Sequence, residues 1–498
     1  MVHAKPLFVT VSALVLGWAP PLFALTAQEL WAEWQSQSAA MGQIVTVQEQ
    51  IPGDGSLTLN GYAMRYADGE VSTIVRLDQI MLSETGDGRV TITVSDTYDL
   101  TFSFTPDNSG PPVDLNFALI APDLRVVASG TAAARVYDYT APRLMFEDRP
   151  ITGGSGPLPM IDVMVALTDL TARYEIDGTN SADLRYASNA AISGMSGAIE
   201  ISPPPGEEGH LKVSFAMGAS TSAGAGQLGN FANLAGKPGA LPENFAASGA
   251  LAYDSARLEM TFSHPRDGFT LLTSNQGGRL STDFSRDAID FALSATAAST
   301  YLASRELPVP VAFTVGGAEL AFRVPLAPSD QPQPFALRLA YRDLAPSPEI
   351  WALADPTAAI PRDPITAIVD LSGTARILRD LLALDPTAMG DIPGQLVDLG
   401  INELRITAAG AELTGTGRAD FPPGPIPMPV GAVDLQMRGL NALFDRLQAA
   451  GLVPIEQLAM ARGLLGAFAR PGAAPDTLET RLEFTQGGGI SANGVPLR

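Results

Sequence analysis

The run VTITVSDTYDLTFSFT, residues 90–105, decides the fold class. Val90, Ile92 and Val94 alternate with Thr91, Thr93 and Ser95, and Leu100, Phe102 and Phe104 alternate with Thr101, Ser103 and Thr105. A period of two puts the apolar side chains of an extended strand on one face and the hydroxyls on the other. The pattern returns at Val113-Leu115-Phe117, Leu211-Val213-Phe215, Leu258-Met260-Phe262 and Ile289-Phe291-Leu293. It recurs at Val311-Phe313-Val315, Leu320-Phe322-Val324 and Phe335-Leu337-Leu339-Tyr341. Turn residues separate the strands: Gly86-Asp87-Gly88, Pro106-Asp107-Asn108, Asp177-Gly178 and Gly316-Gly317.

Such alternation belongs to antiparallel sheets, not to the continuous apolar strands of a doubly wound parallel sheet. The expected fold is mainly β: large antiparallel amphipathic sheets with an N-terminal helix and a C-terminal helix pair. An apolar face this long needs a cover. A second sheet would give a sandwich with a dry core; a curled sheet would give an apolar groove wide enough for acyl chains. Alternation fits both.

Composition narrows the function classes. The chain has 498 residues, 53 acidic and 31 basic, three histidines and no cysteine. A net charge of −22 opposes nucleic-acid binding, which needs clustered Lys and Arg. Without cysteine there is no disulfide framework, Cys-ligated metal or thiol nucleophile. Hydrophobic residues at 46% fit a folded chain, while 48 glycines and 40 prolines oppose a mainly helical one.

The N-terminus carries an address. His3 and Lys5 precede the apolar run Leu7 to Trp18, followed by Ala19-Pro20-Pro21-Leu22-Phe23-Ala24. This reads as a signal peptide, residues 1–24, cleaved near Ala24, and places the mature chain in a bacterial periplasm. The rival, an uncleaved anchor from Leu7 to Leu25, suffers from Pro20-Pro21 in its last turn. No later run is apolar and long enough for a helical transmembrane span.

Thr26 and Glu29 fit a capping box opening a helix that runs to about Met41 and ends at Gly42. Its Leu30, Trp31 and Trp34 share a face and read as core packing. The Gly-, Ser- and Ala-rich stretch Gly218 to Gly229 reads as a loop, and the proline-dense stretch Pro325 to Pro364 as a boundary near residue 345. The expected organisation is residues 25–345 as helix plus β domain and 346–498 as an α+β region. In the latter, strands at Thr366 to Leu371, Glu403 to Thr407 and Val433 to Met437 accompany a short helix from Ala375 to Leu384. Leu440, Leu443, Phe444 and Leu447 form an amphipathic stripe, Gly451 ends that helix and Pro454 opens the next. A final strand pair, Leu482-Phe484 and Ile490, precedes an Asn493-Gly494 turn of type I′.

Three runs carry a family likeness: IWALADPTAAIPRDPITAIVDLSG from Ile350, GAELTGTGRADF from Gly410 and TLETRLEFTQGGGISANGVPL from Thr477. They resemble the alphaproteobacterial exported family catalogued as domain of unknown function 2125, best over residues 350–498. The resemblance implies a periplasmic β-rich protein with no assigned reaction and supplies no catalytic residues. In architecture the chain is more distantly similar to AsmA-like envelope proteins.

Local motifs point to little chemistry. Gly224 to Gly229 matches G-x-G-x-x-G with Glu243 about twenty residues on, but Gly236, Pro238 and Pro242 break the helix a dinucleotide site requires. His210 and His264 read as surface turn residues, with no nucleophile or metal pattern around them. Asp177, Asn180 and Asp183 read as a solvated turn lacking the closing Glu of a calcium loop. Asp355-Pro356, Arg362-Asp363-Pro364 and Asp385-Pro386 read as helix starts and turns, with Arg362 available to a carboxylate and Trp351 a packed anchor. Asp445, Arg446, Glu456 and Arg462 give the helix pair both signs of charge, so attraction to anionic lipid is not expected. No catalytic, cofactor-binding or metal residue is assigned. The expected function is non-enzymatic: a periplasmic envelope protein holding a lipid-like ligand or an envelope partner in an apolar β groove. A closed scaffold is the alternative, and a carboxylate-based hydrolase the remote third.

Overall fold

A computed structural model describes residues 24–497 except 41, 69–70, 106–109, 155, 178–183, 230–240, 243, 384–393 and 425–426. The chain starts with α1 (Ala27–Ala40). Its capping box is formed: the Glu29 amide donates to Thr26 Oγ1 at 3.2 Å, and the Thr26 amide donates to the Glu29 carboxylate at 3.1 Å.

β1 (Ile44–Gly53), β2 (Ser56–Asp68) and β3 (Val71–Glu84) then form an antiparallel meander. Next to β3 the sheet splits, with β4 (Val90–Val94) on one half of the strand and β5 (Thr97–Phe104) on the other. β6 (Val113–Ile120) extends β5, β7 (Arg125–Thr131) extends β4, and the long β8 (Ala134–Gly153) reunites them. β9 (Met160–Asp177) follows and splits again into β10 (Leu184–Ile192) and β11 (Gly194–Ser202).

β12 (His210–Met217), β13 (Ser220–Gly229), β14 (Ala246–Tyr253), β15 (Ala256–Ser263), β16 (Gly268–Asn275) and β17 (Gly278–Ser285) continue the two halves. One half runs β10–β13–β14–β17, the other β11–β12–β15–β16, and β18 (Ala288–Ser304) rejoins them. A second meander runs through β19 (Val311–Pro325), β20 (Gln333–Pro346), β21 (Ile365–Ile377), β22 (Gly394–Ala408), β23 (Ala411–Asp420) and β24 (Val430–Arg438). A short helix, α2 (Pro348–Ala354), lies between β20 and β21, which pair with each other across the proline-dense stretch. α3 (Leu440–Ala449) and α4 (Ile455–Phe468) follow. The chain ends with β25 (Arg470–Pro471), β26 (Thr477–Phe484), β27 (Ile490–Ala492) and β28 (Val495–Pro496). β26 pairs with β24, β25 and β27, and β27 with β28. Among the described residues every pairing is antiparallel and belongs to one hydrogen-bonded sheet, so the fold is a single large antiparallel sheet.

A seam runs through the middle of the long strands. Gly61, Asp169, Ala297 and Asp343 have φ of 63°, 51°, 46° and 55°. A left-handed residue inside a strand shifts the alternation by one position. On β9 the apolar set is Ile161, Val163, Val165 and Leu167 before Asp169, and Ala172, Tyr174 and Ile176 after it. On β19 it is Val311, Phe313 and Val315, then Leu320, Phe322 and Val324. The shift keeps both halves of each strand apolar on one face.

The dry core sits at the α1 end. Leu25, Leu30 and Trp31 pack on Leu57, Leu59, Leu77, Ile80, Leu82, Val90, Ile92, Val126 and Tyr137. From β10 onward, the buried apolar residues among those described are scattered: Phe245, Ala288, Val315, Leu326, Ala340, Ile368, Ile377, Leu458 and Ala492.

Three expectations are corrected. The stretch Gly218 to Gly229 is not a loop: Ser220–Gly229 is β13, paired on both edges by β10 and β14, so the ladder satisfies its backbone despite its composition. Gly316-Gly317 is not a turn but lies inside β19 at the seam. The helix at Ala375 to Leu384 is replaced by the end of β21, whose backbone is committed to β22, and a single 3-10 turn at Leu381–Ala383. The signal peptide, Pro106-Asp107-Asn108, Gly178 to Asp183, Glu243 and Asp385-Pro386 lie outside the described residues, apart from Ala24. The Asn493-Gly494 turn has positive φ at both positions, 50° and 84°, as type I′ demands.

Candidate functional site

The register aligns apolar residues into rows that cross many strands. One row runs Leu280, Leu293, Leu320, Leu339, Val369 and Leu404, each opposite the next across β17 to β22. Beside it Phe322 stands between Phe291 and Leu337, and the Phe291 and Phe322 rings stack at 5.1 Å. In the other half-sheet a row runs Ile199, Val213, Met260, Leu271, Leu302 and Val311. No element among the described residues seals this face from β18 to β22: Leu293 is 41% exposed, Leu337 39%, Leu339 38% and Ile406 42%.

The ion pairs of these strands lie on the opposite face. Arg323 bonds Asp290 at 2.5 Å, and Arg338 bonds Glu319 at 3.1 Å and Asp370 at 2.5 Å. Arg405 bonds Glu412 at 2.6 Å, and Arg481 bonds Asp434 at 2.7 Å. Each of these residues is one position out of phase with an apolar-face neighbour. Hydrogen bonds from Arg342 and then Arg338 hold the Glu319 carboxyl below its usual range. The sheet is thus two-faced, with charge on one side and open hydrocarbon on the other.

At one end α1 covers the apolar face. Trp34 Nε1 donates to the Tyr137 hydroxyl at 3.0 Å, the Ala27 amide donates to the Glu84 carboxylate at 3.0 Å, and Arg135 pairs with Glu33. Beyond it lies a group of tyrosines: Tyr137, Tyr139, Tyr174 and Tyr186 occupy apolar-face positions on β8, β9 and β10, which alternation marks on each strand singly and only the register brings together. At the far end the Thr480 hydroxyl donates to the Phe468 carbonyl at 3.3 Å, tying α4 to β26. Arg462 links the helix pair, bonding Asp445 at 2.5 Å and lying 5.9 Å from the Phe444 ring centroid.

The other marked residues are not brought together. His210 opens β12, with its Nδ1 3.0 Å from Ser202 Oγ and its Nε2 3.9 Å from Glu200, on the exposed polar face. His264 stacks beside Phe262 and lies 3.9 Å from Glu208 and 4.0 Å from Asp267. Among the described residues no group of three or more His, Asp or Glu is arranged for a metal ion. Asp355 is buried at the end of α2, where amides of Ile360 and Ala359 donate to it at 2.8 and 3.0 Å. The Ile360 bond leads in holding its carboxyl below the usual range, and the Arg362 charge adds to this. Trp351 is half-buried on α2.

A cleft of about 840 Å³ crosses β8, β9, β10, β13, β14 and β17 near the seam. Its walls are polar-face rows, Asp138-Arg173-Asn189 on one side and Thr140-Thr171-Thr221 on the other. Between these two rows the cleft also takes in the apolar-face row Tyr139, Ala172, Ala190, Leu251 and Leu280.

These features define a class: a single-sheet β protein with one charged and one open apolar face. Residues 245–497 match the bacterial family described as "uncharacterized protein conserved in bacteria" (DUF2125), and the chain belongs to that family. No curated protein and no solved structure matches it. No helix among the described residues is long and apolar enough to cross a membrane.

Proposed function

We propose that this chain is a non-enzymatic protein of the bacterial periplasm whose apolar sheet face holds the acyl chains of a lipid-like ligand. The observation behind the reading is the row from Leu280 to Leu404, whose Leu293 and Leu339 stay 41% and 38% exposed while the charges occupy the other side. Contiguous apolar surface open to water marks a ligand or partner site. Seating of an envelope protein on the same face is the second form of the reading. The periplasmic address rests on the apolar run after Lys5, and alphaproteobacterial membership and the likeness to AsmA-like envelope proteins belong to the same proposal.

A closed scaffold calls for a dry face, and the half-exposed leucines favour the ligand instead. A hydrolase of the glycosidase type calls for two carboxyls about 5 to 10 Å apart across a cleft. The cleft across β8 to β17 presents Asp138, bonded to Arg173 at 3.1 Å.

The test is native mass spectrometry and lipid extraction of the purified mature chain. Co-purified acyl lipid, lost in a Leu293→Glu, Leu339→Glu variant that still folds, is the expected result. A chain that purifies empty and takes up no fluorescent fatty acid overturns it.

A further inference from the structure

The apolar face is not uniform. Next to the α1 end, Tyr137 on β8 stands directly opposite Tyr174 on β9, and the Tyr137 and Tyr139 rings lie 6.4 Å apart. Tyr174 and Tyr186 on β10 lie 6.2 Å apart. Tyr186 rests over β13, where a Cβ on Gly226 would come within 2.5 Å of its ring. Gly226, the second glycine of the G-x-G-x-x-G match, therefore leaves room for a tyrosine on the floor of the sheet.

The Tyr137 hydroxyl oxygen accepts from Trp34 Nε1 at 3.0 Å, which holds this ring under α1. The hydroxyls of Tyr139, Tyr174 and Tyr186 have no hydrogen-bond partner among the described residues, and none is sealed from solvent. Burial raises the phenol pKa of Tyr139 and of Tyr174, so both stay protonated donors at neutral pH. Each also feels the next, Tyr174 acting on Tyr139 and Tyr186 on Tyr174, which marks the three as neighbours. Arg135, in phase with Tyr137 and Tyr139 on β8, is spent: its guanidinium bonds Glu33 at 2.5 Å and the Gly130 carbonyl at 2.9 Å.

We propose that Tyr139, Tyr174 and Tyr186 are the polar recognition site of this face, donating hydrogen bonds to the ester carbonyls of an ester-linked acyl lipid. Three neutral phenol donors suit neutral acceptors such as ester carbonyls. A phenol in an apolar wall is also the side chain that meets a molecule with one wet and one greasy end. The apolar rows from β17 to β22 then take the tails. The assignment rests on the ligand reading above.

The test compares wild type with the triple variant Tyr139→Phe, Tyr174→Phe, Tyr186→Phe, which keeps the rings and removes the hydroxyls. Two probes are used: a pyrene-labelled diacyl phosphatidylcholine presented in phosphatidylcholine vesicles, and a pyrene-labelled alkane with no ester. The expected result is a loss on the order of tenfold in affinity for the diacyl probe, with alkane binding unchanged. An unchanged ratio between the probes, whether both bind as before or both weaken equally, overturns the tyrosine assignment and leaves the ligand reading standing. A wild-type chain that binds neither probe overturns both. If the triple variant fails to fold, the same ratio is read on the three single variants.

Discussion

Arg135 and Glu33 form a buried ion pair at 2.5 Å, between the apolar face of β8 and the underside of α1, with the Arg135 side chain only 2% exposed. An apolar contact would have served the packing there. The pair instead fixes where along the sheet the helix sits, because a guanidinium held among Tyr137 and the core leucines has no water to fall back on.

Removing one partner should therefore cost more than the pair is worth. Glu33→Ala should destabilise the chain by about 3 to 5 kcal/mol, since it strands a buried charge. Adding Arg135→Met should restore most of that loss. Urea unfolding of the two single variants and the double variant measures the coupling. Additive losses would show that the two side chains do not act as a pair.

Thr26→Ala should cost about 0.5 to 2 kcal/mol, because the Glu29 amide loses its Thr26 acceptor. The loss should localise to α1. Amide hydrogen exchange checks this: α1 amides gain exchange while those of β18 to β22 do not.

Burial pushes the phenols of Tyr98 and Tyr137 up to about 12. Unfolded tyrosines ionise near pH 10, so between about 10 and 12 the unfolded chain binds fewer protons than the folded one. Stability owed to these two groups is complete below about pH 10 and is lost as pH rises through 12. Absorbance at the tyrosinate band should show a late-titrating fraction, and the urea midpoint should fall over the same window. A single transition near pH 10 in the folded protein would contradict the burial of these rings.

Gly226→Ala should destabilise by about 1 to 3 kcal/mol through overpacking, its Cβ meeting the Tyr186 ring at 2.5 Å and the Ala246 carbonyl at 2.9 Å. Gly317→Ala is the control: nothing lies within 4 Å of the added carbon, and the change should stay within about 0.5 kcal/mol. Thermal melts of both variants separate a packing role for Gly226 from a general cost of filling glycines.

Much of this fold is written in the sequence, and the gaps have physical causes. Alternation at Val90, Leu100, Leu211, Leu258 and Ile289 marks real strands, because a one-sided sheet must repeat every two residues. Alternation also cuts long strands in two. Val311 to Val315 and Leu320 to Val324 belong to one strand, β19, yet their parity changes at Gly316, and a shifted parity beside two glycines looks like a turn. The segment from Ser220 to Gly229 is paired by β10 and β14, so its strand character comes from neighbours distant in sequence and not from its own residues. The site was hidden for the same reason. Tyr139, Tyr174 and Tyr186 are spread over 48 positions of chain and meet only through the register of β8, β9 and β10.

The row-by-row pairing has a consequence for how the molecule comes apart. Each strand of the sheet bonds only to the strands beside it, so its energetics approximate a series of coupled links, as in repeat proteins, more than one all-or-none globule. The strongest links are those under α1, where the dry core is concentrated. Unfolding should begin by fraying at the β26 to β28 end and travel toward β1, so trimming that end removes links without releasing the core. During synthesis such a chain can add strands in the order they emerge, with the α1 end already closed.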